Sequence, residues 1–303
     1  MITSASSINA VRSQYENVCF SKTAIFYGIL FDLWRLPALA KIRELSWLSA
    51  IATDFRFKDK KMNHIAFILG YISIGSAWLL MIGIAIVSFI VQWRFKSKFR
   101  QYAQEPLSSG LSGQDVAERM LHDNGIYDVQ VVSVEGQLTD HYKPATKTVN
   151  LSPGVFYSRS VASAAVAAHE CGHAVQHAKA YAWLSLRTAI VPVITVASTI
   201  TQWTLFIGVM LLFFTNNPFV LAIGVAALAL VTAFSFITLP VEFDASNRAI
   251  TWLRNSYSVM LTRSEYSEAK DALWWAAMTY VVAALGALAT LLYYASFLFN
   301  RRN

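Results

Sequence analysis

The 303-residue sequence predicts an α-helical membrane protein in which four transmembrane helices carry a small α+β region. Three observations predict it. Charge vanishes from three long stretches, a single turn splits the longest of them, and the intervening polar stretches carry helix caps and short alternating segments. Hydrophobic residues make up 55% of the chain, charged residues only 14%, and the mean hydropathy is +0.43. A soluble domain carries about 25% charged residues, so an ordinary soluble enzyme and a disordered chain are both excluded. The formal net charge is +7 and the pI about 9.4. Such a balance suits nucleic acid or an anionic membrane surface, and its position along the chain decides between them. Two cysteines, Cys19 and Cys171, make no disulfide framework. Residues 1–22 lack the charged-then-apolar pattern of a secretory signal peptide.

Residues 64–93, 188–241 and 272–300 contain no Asp, Glu, Lys or Arg. One helical span needs about 20 apolar residues. The first and third stretches each fit one span. The middle stretch is too long for one and is broken by Thr215-Asn216-Asn217-Pro218, a strong turn signal. It predicts two spans, roughly 190–214 and 219–240. The expected organisation is an N-terminal extension over 1–61, a first transmembrane helix in 62–93 and a polar catalytic region over 94–187. A transmembrane hairpin over 188–241, a polar helical segment over 242–273 and a fourth helix with a short tail over 274–303 complete it. A chain that crosses and recrosses leaves 94–187 and 242–271 on one side, where they can meet.

Lys and Arg near span ends favour the cytoplasm. Arg94, Lys96, Lys98 and Arg100 follow the first span, and Arg187, Arg248 and Arg254 flank the hairpin on the same side. Arg56, Lys58, Lys60, Lys61, Arg301 and Arg302 lie opposite. The balance places the polar regions on the cytoplasmic side, expected to be that of a bacterial inner membrane. Residues 1–61 hold nine Lys/Arg and five Asp/Glu, hence +4 of the +7. Their apolar run Ala24–Phe31 is too short to span. Met62 directly precedes the first span and is expected to be the natural start, the alternative being a membrane-surface amphipathic helix over 23–50. The basic excess is thus no sign of nucleic acid; the expected partners are the lipid bilayer and a protein or peptide.

Within the polar stretch, Ser112-Gly113-Gln114-Asp115 resembles a capping box that opens a helix, and Gly125 is a natural stop. Tyr127–Val134 alternates as a strand, and Lys147–Leu151 is a second strand reached through a turn at Lys143-Pro144. An alanine-rich helix runs from about Ser158 to Ala180. It carries His169-Glu170-Cys171-Gly172-His173. Residues i and i+4 share one helical face, so both imidazoles can reach one ion, and two neutral nitrogens supply half of a zinc shell. The glutamate beside the first histidine is placed to take a proton from a water that the metal acidifies. The motif makes this α+β region zincin-like, with one Zn2+ per chain. His177 is too far along a continuous helix to share the ion with His169, about 12 Å of rise; it reads as a rim residue. Cys171 lies about 200° around the helix from His169 and reads as a packing residue.

A third ligand is required. The hairpin has no carboxylate, and the first after it is Glu242. Glu242, Ala245, Ser246 and Ala249 fall on one helical face, and the small residues let this helix approach the motif helix. Asp244 and Arg248 form an i, i+4 pair on another face, and Asp244 is the alternative ligand.

Residues from about 65 to 300 resemble the neutral zinc metallopeptidase family of YugP-type membrane proteases. The resemblance is carried by Leu138-Thr139-Asp140-His141-Tyr142, by Lys147-Thr148-Val149-Asn150-Leu151-Ser152, by the segment from Ala167 through the HExxH motif to Ala178, and by Leu239-Pro240-Val241-Glu242-Phe243-Asp244-Ala245-Ser246. The family is distantly similar to HtpX-type gluzincin peptidases. That resemblance implies Glu242 as third ligand. In those relatives an Asp four residues after the ligand Glu supports a ligand His; here the position is Ser246, with Asn247 or Asp140 as substitutes. It also implies that Thr148, Val149, Asn150 and Leu151 form an exposed edge strand to which a substrate peptide adds.

These readings converge on an integral membrane zinc endopeptidase with Glu170 as base. It would act on unfolded or exposed segments of membrane-associated proteins. Oxyanion candidates are His141, Tyr142 and Tyr157. A non-enzymatic zinc-stabilised scaffold or adaptor would need no base beside its ligands. A channel would place Asp, Glu, Lys or Arg in its spans, and an intramembrane protease of the site-2 type would need an Asp in a later span; these spans contain none of them.

Overall fold

The computed structural model describes residues 74–299 apart from 137, 138, 257 and 261. The expectations for residues 1–61 and for a start at Met62 lie outside the described residues. In chain order the elements are α1 (Ile74–Tyr102), α2 (Gly113–Asp123), β1 (Gln130–Ser133), β2 (His141–Lys143) and β3 (Thr148–Leu151). They continue with α3 (Pro153–Phe156), α4 (Val161–Ala178), α5 (Ala182–Thr215), α6 (Phe219–Asn255) and α7 (Arg263–Phe299).

Among the described residues four helices, α1, α5, α6 and α7, are long and apolar enough to cross a membrane. Their outward faces show Leu79, Ile86, Phe89, Phe206, Phe213 and Phe219, which a bilayer solvates and water does not. At 1.5 Å per residue α6, with 37 residues, is about 55 Å long, well beyond a hydrocarbon core of about 30 Å. The spans 190–214 and 219–240 are therefore sections of longer helices. α6 passes through Pro240 without a break and carries Glu242 and Ser246 on the continuation of the third span. Pro240 removes one backbone donor, which a long membrane helix tolerates.

The hairpin turn follows the sequence. Asn216 ends α5 in the left-handed conformation, φ 63°, and Asn217 Oδ1 accepts the Phe219 N–H at 2.9 Å to begin α6. The two helices lie close, since a Cβ on Gly208 would stand 2.5 Å from the Leu221 nitrogen. Met81, Leu205, Leu212, Leu221, Leu228 and Tyr293 join all four spans in one apolar cluster.

A second core lies on the polar side. Val116, Met120, Val149, Leu151, Val161, Ala168 and Cys171 pack there with Ala249 and Leu253 of α6 and Leu273 of α7. The polar stretches on either side of the hairpin do meet, and membrane helices furnish part of the α+β core. Ser112 and Asp115 form the capping box of α2, and Ser160 with Ser163 forms a second that starts α4.

The sheet has three strands in the order β1-β3-β2. β1 runs parallel to β3, Val131 opposite Val149, and β2 runs antiparallel to it, Tyr142 opposite Val149. This corrects the expected edge strand. Thr148, Val149, Asn150 and Leu151 form the central strand, paired on both sides, and Val149 to Leu151 are buried. The expectation overlooked β2, three residues in what reads as a turn. That short strand is one of the two edges, β1 being the other.

Candidate metal centre

Two helices build the site. α4 presents His169 and His173 one turn apart, their ring centroids 4.9 Å from each other and the rings nearly perpendicular. α6 presents Glu242. The helices approach this closely because their contact residues are small: a Cβ on Gly172 would lie 2.5 Å from the Ala245 carbonyl oxygen. Ala245 and Ala249 are fully buried beside Glu242 and Ser246, the face expected from the spacing.

The candidate ligand atoms converge. Glu242 Oε2 lies 3.3 Å from His169 Nε2 and 3.7 Å from His173 Nε2. All three lie within 4.8 Å of one another. A tetrahedral zinc with bonds of 2.0–2.1 Å sets its ligand atoms about 3.3 Å apart. Glu242 is 2% exposed, and its Oε2 is a buried oxygen without a hydrogen-bond donor. A carboxylate oxygen aimed at two imidazole nitrogens and otherwise unsatisfied fits a cation. The other oxygen, Oε1, accepts from Arg187 Nη1 at 3.2 Å. The Tyr280 hydroxyl on α7 lies near the Glu242 side chain.

Each histidine is held from behind. His169 Nδ1 lies 3.2 Å from Ser246 Oγ. Of the three candidate supports it is thus Ser246 that stands behind His169, while Asn247 is exposed and Asp140 accepts instead from Ser152 N and Oγ. His173 Nδ1 lies 3.0 Å from Gln176 Oε1. Burial pushes the His173 ring down, but the Glu242 carboxylate, with Glu170 and Gln176, more than offsets this and raises it above the ordinary histidine value.

Glu170 is buried, and its Oε2 accepts the Tyr142 backbone N–H at 3.1 Å. Since β2 is an edge strand, this N–H points away from the sheet and pins the carboxylate to the β2 edge. Asp140 precedes β2; burial holds it above the usual carboxylate range against the bonds from Ser152. The remaining candidates separate. Tyr142 Oη lies 2.8 Å from His177 Nδ1, a rim contact between β2 and α4. His141 Nδ1 lies 2.6 Å from the Thr139 carbonyl. Tyr157 is 68% exposed and stacks edge-on against Phe156. Asp244 is held by Arg248 and Gln176 and is absent from the converging ligand atoms.

The sequence of this site matches a model of a described protein family, "Putative neutral zinc metallopeptidase", over residues 77–299. The chain belongs to the neutral zinc metallopeptidase family. A relative is the "Putative membrane protease YugP" of Bacillus subtilis (strain 168). It is 41% identical over 217 residues, 72% of this chain and 94% of that protein. No solved structure matches the chain. In this family member, three residues at the site carry no local sequence signal that singles them out. Arg187 and Glu242 bracket the uncharged hairpin on either side of its turn, so pairing its two ends would have brought them together. Gln176 is polar on the ligand face of α4, and full burial is what distinguishes it. Tyr280 lies in an apolar run with no local signal.

Proposed function

We propose that the protein is a membrane-embedded zinc endopeptidase. His169 Nε2, His173 Nε2 and Glu242 Oε2 would hold the metal, and Glu170 would serve as the general base. The observation that carries this reading is the buried, donor-less Glu242 Oε2 facing two imidazole nitrogens, with Glu170 fixed beside them. A bound zinc supplies a Lewis acid that acidifies water toward neutral pH and polarises a carbonyl. Glu170 accepts the proton of the attacking water and returns it to the leaving amine. The Tyr142 N–H keeps its carboxylate on the β2 side of the site. Negative charge developing on the carbonyl oxygen needs a donor. Tyr280 is the candidate, because its hydroxyl stands beside Glu242 and in the field of Glu170 and Arg187.

Substrates are extended, unfolded or exposed segments of membrane-associated proteins. Two features support this class. The edge strand β2 borders Glu170 and leaves its outward Tyr142 carbonyl to accept from an extended peptide, and Glu242 is the first charged residue after the uncharged hairpin, which sets the site beside the membrane. The basic cluster at 94–100 supports a cytoplasmic face of a bacterial inner membrane. The test is cleavage of casein or an unfolded membrane protein by the purified full chain. Glu170→Gln should keep zinc and lose turnover by on the order of 10²-fold or more. Undiminished cleavage would remove Glu170 as base, and no cleavage by the parent would favour a zinc-stabilised scaffold.

A further inference from the structure

Gln176 has no exposed surface at all, yet it carries one of the most polar side chains in the protein. Burying an amide is unfavourable unless its hydrogen-bonding capacity is used. Here both amide hydrogens and the oxygen have partners. The Gln176 Nε2 donates to the Val241 carbonyl at 2.7 Å and to Asp244 Oδ2 at 2.8 Å, and Oε1 faces His173 Nδ1 at 3.0 Å.

The two acceptors settle which way the amide points. A backbone carbonyl cannot donate, and Asp244 is a carboxylate bonded to the Arg248 guanidinium, Nε to Oδ2 at 2.6 Å and Nη2 to Oδ1 at 3.3 Å. A flipped amide would press its oxygen against two acceptors and leave its nitrogen facing a ring. The nitrogen therefore faces α6 and the oxygen faces His173. An amide oxygen only accepts, so His173 must carry its hydrogen on Nδ1. Its Nε2 is then bare and directed at the metal position. His169 has no such constraint, because the Ser246 hydroxyl behind it can donate or accept.

Position adds to the argument. Val241 and Asp244 bracket the ligand Glu242 on α6, while Gln176 lies one turn beyond the ligand His173 on α4. One buried amide thus ties the segments that carry two ligands and fixes their register. We infer that Gln176, anchored by Val241, Asp244 and Arg248, is the positioning residue that sets the His173 tautomer and the register of the two ligand helices. This rests on the zinc-site reading above. It gives Asp244 a part in the site other than ligation.

The experiment uses the full-length protein in detergent. Zinc affinity is measured by competition with a chromophoric chelator, and the Co2+-substituted protein is read by its visible absorption. Gln176→Leu keeps the volume and removes every bond. Gln176→Glu keeps an acceptor for His173 but sets two carboxylates together. The pair Gln176→Glu with Asp244→Asn exchanges amide and carboxylate and restores a donor between the two positions. Removing such a support costs about 10- to 100-fold in metal affinity. That loss is expected in both single variants, with an altered Co2+ band, and the exchanged pair should recover part of it, since a donor again joins positions 176 and 244 while the Val241 carbonyl stays unpaired. The inference is overturned if Gln176→Leu binds zinc within about threefold of the parent, or if the exchanged pair binds no better than Gln176→Glu. If Gln176→Leu does not fold, the comparison of Gln176→Glu with the pair still decides. Glu242→Ala is run alongside. Full zinc affinity in that variant would sink the zinc-site reading itself, whereas its loss with Gln176→Leu unaffected would sink only the role of Gln176.

Discussion

Arg187 on α5 donates to Glu242 Oε1 on α6 at 3.2 Å, joining the two ends of an uncharged hairpin. The pair leaves Oε2 alone on the metal side. A carboxylate that is 2% exposed needs its remaining lone pairs satisfied, and hydrogen bonds to charged groups contribute about 1.5–3 kcal/mol. The Arg187 side chain is 32% exposed, so solvent screening places the pair at the lower end. Arg187→Gln should weaken zinc binding by about tenfold at similar folding, and Arg187→Lys by less. Chelator competition on the purified variants measures this.

The α4–α6 contact admits no added methyl at its closest point. Gly172→Ala would set a Cβ 2.5 Å from the Ala245 carbonyl oxygen, so one helix must shift. Overpacking of this kind costs about 1–3 kcal/mol. Both thermal stability and zinc affinity should fall, because the two helices carry the proposed ligands. Gly154→Ala, where a Cβ meets nothing within 4 Å, is the control and should match the parent in both measurements.

Tyr280→Phe removes a hydroxyl and little else. If that hydroxyl stabilises developing charge, kcat should fall on the order of 10²-fold with KM and zinc content nearly unchanged. Steady-state kinetics on a fluorogenic peptide, with metal analysis of the same sample, separates this from a loss of zinc.

How much of this was legible in the sequence varies with the physics involved. The spans could be read because the bilayer demands uninterrupted apolar length, which composition reports directly. The His169/His173 pair could be read because helical spacing fixes it locally, and Ala245 and Ala249 announced a close helix contact. The order of the strands could not. β2 has three residues, too few for alternation to register, so β3 passed for an edge although it lies in the middle. Tyr280 and Gln176 owe their roles to partners far along the chain. Gln176 reaches Val241 and Asp244, 65 and 68 residues away, and no local pattern encodes that.

Cys171 should be chemically silent. Its side chain is fully buried, with Sγ 3.5 Å from the Ala117 carbonyl. Burial pushes the thiol well above its ordinary value, and Glu170 adds to this. The reactive thiolate is thus suppressed at neutral pH. Peptide-level mass spectrometry after brief iodoacetamide treatment of the folded protein should find Cys171 unmodified and, after denaturation, modified.

The most direct test of the zinc site is X-ray absorption at the zinc edge on the full-length protein and on Glu242→Ala. The parent should show one zinc with an N/O shell at about 2.0–2.1 Å and the scattering signature of two imidazoles. Glu242→Ala should lose the metal or change that shell. A sulfur ligand, a third imidazole, or an identical spectrum in Glu242→Ala would contradict a centre built from His169, His173 and Glu242.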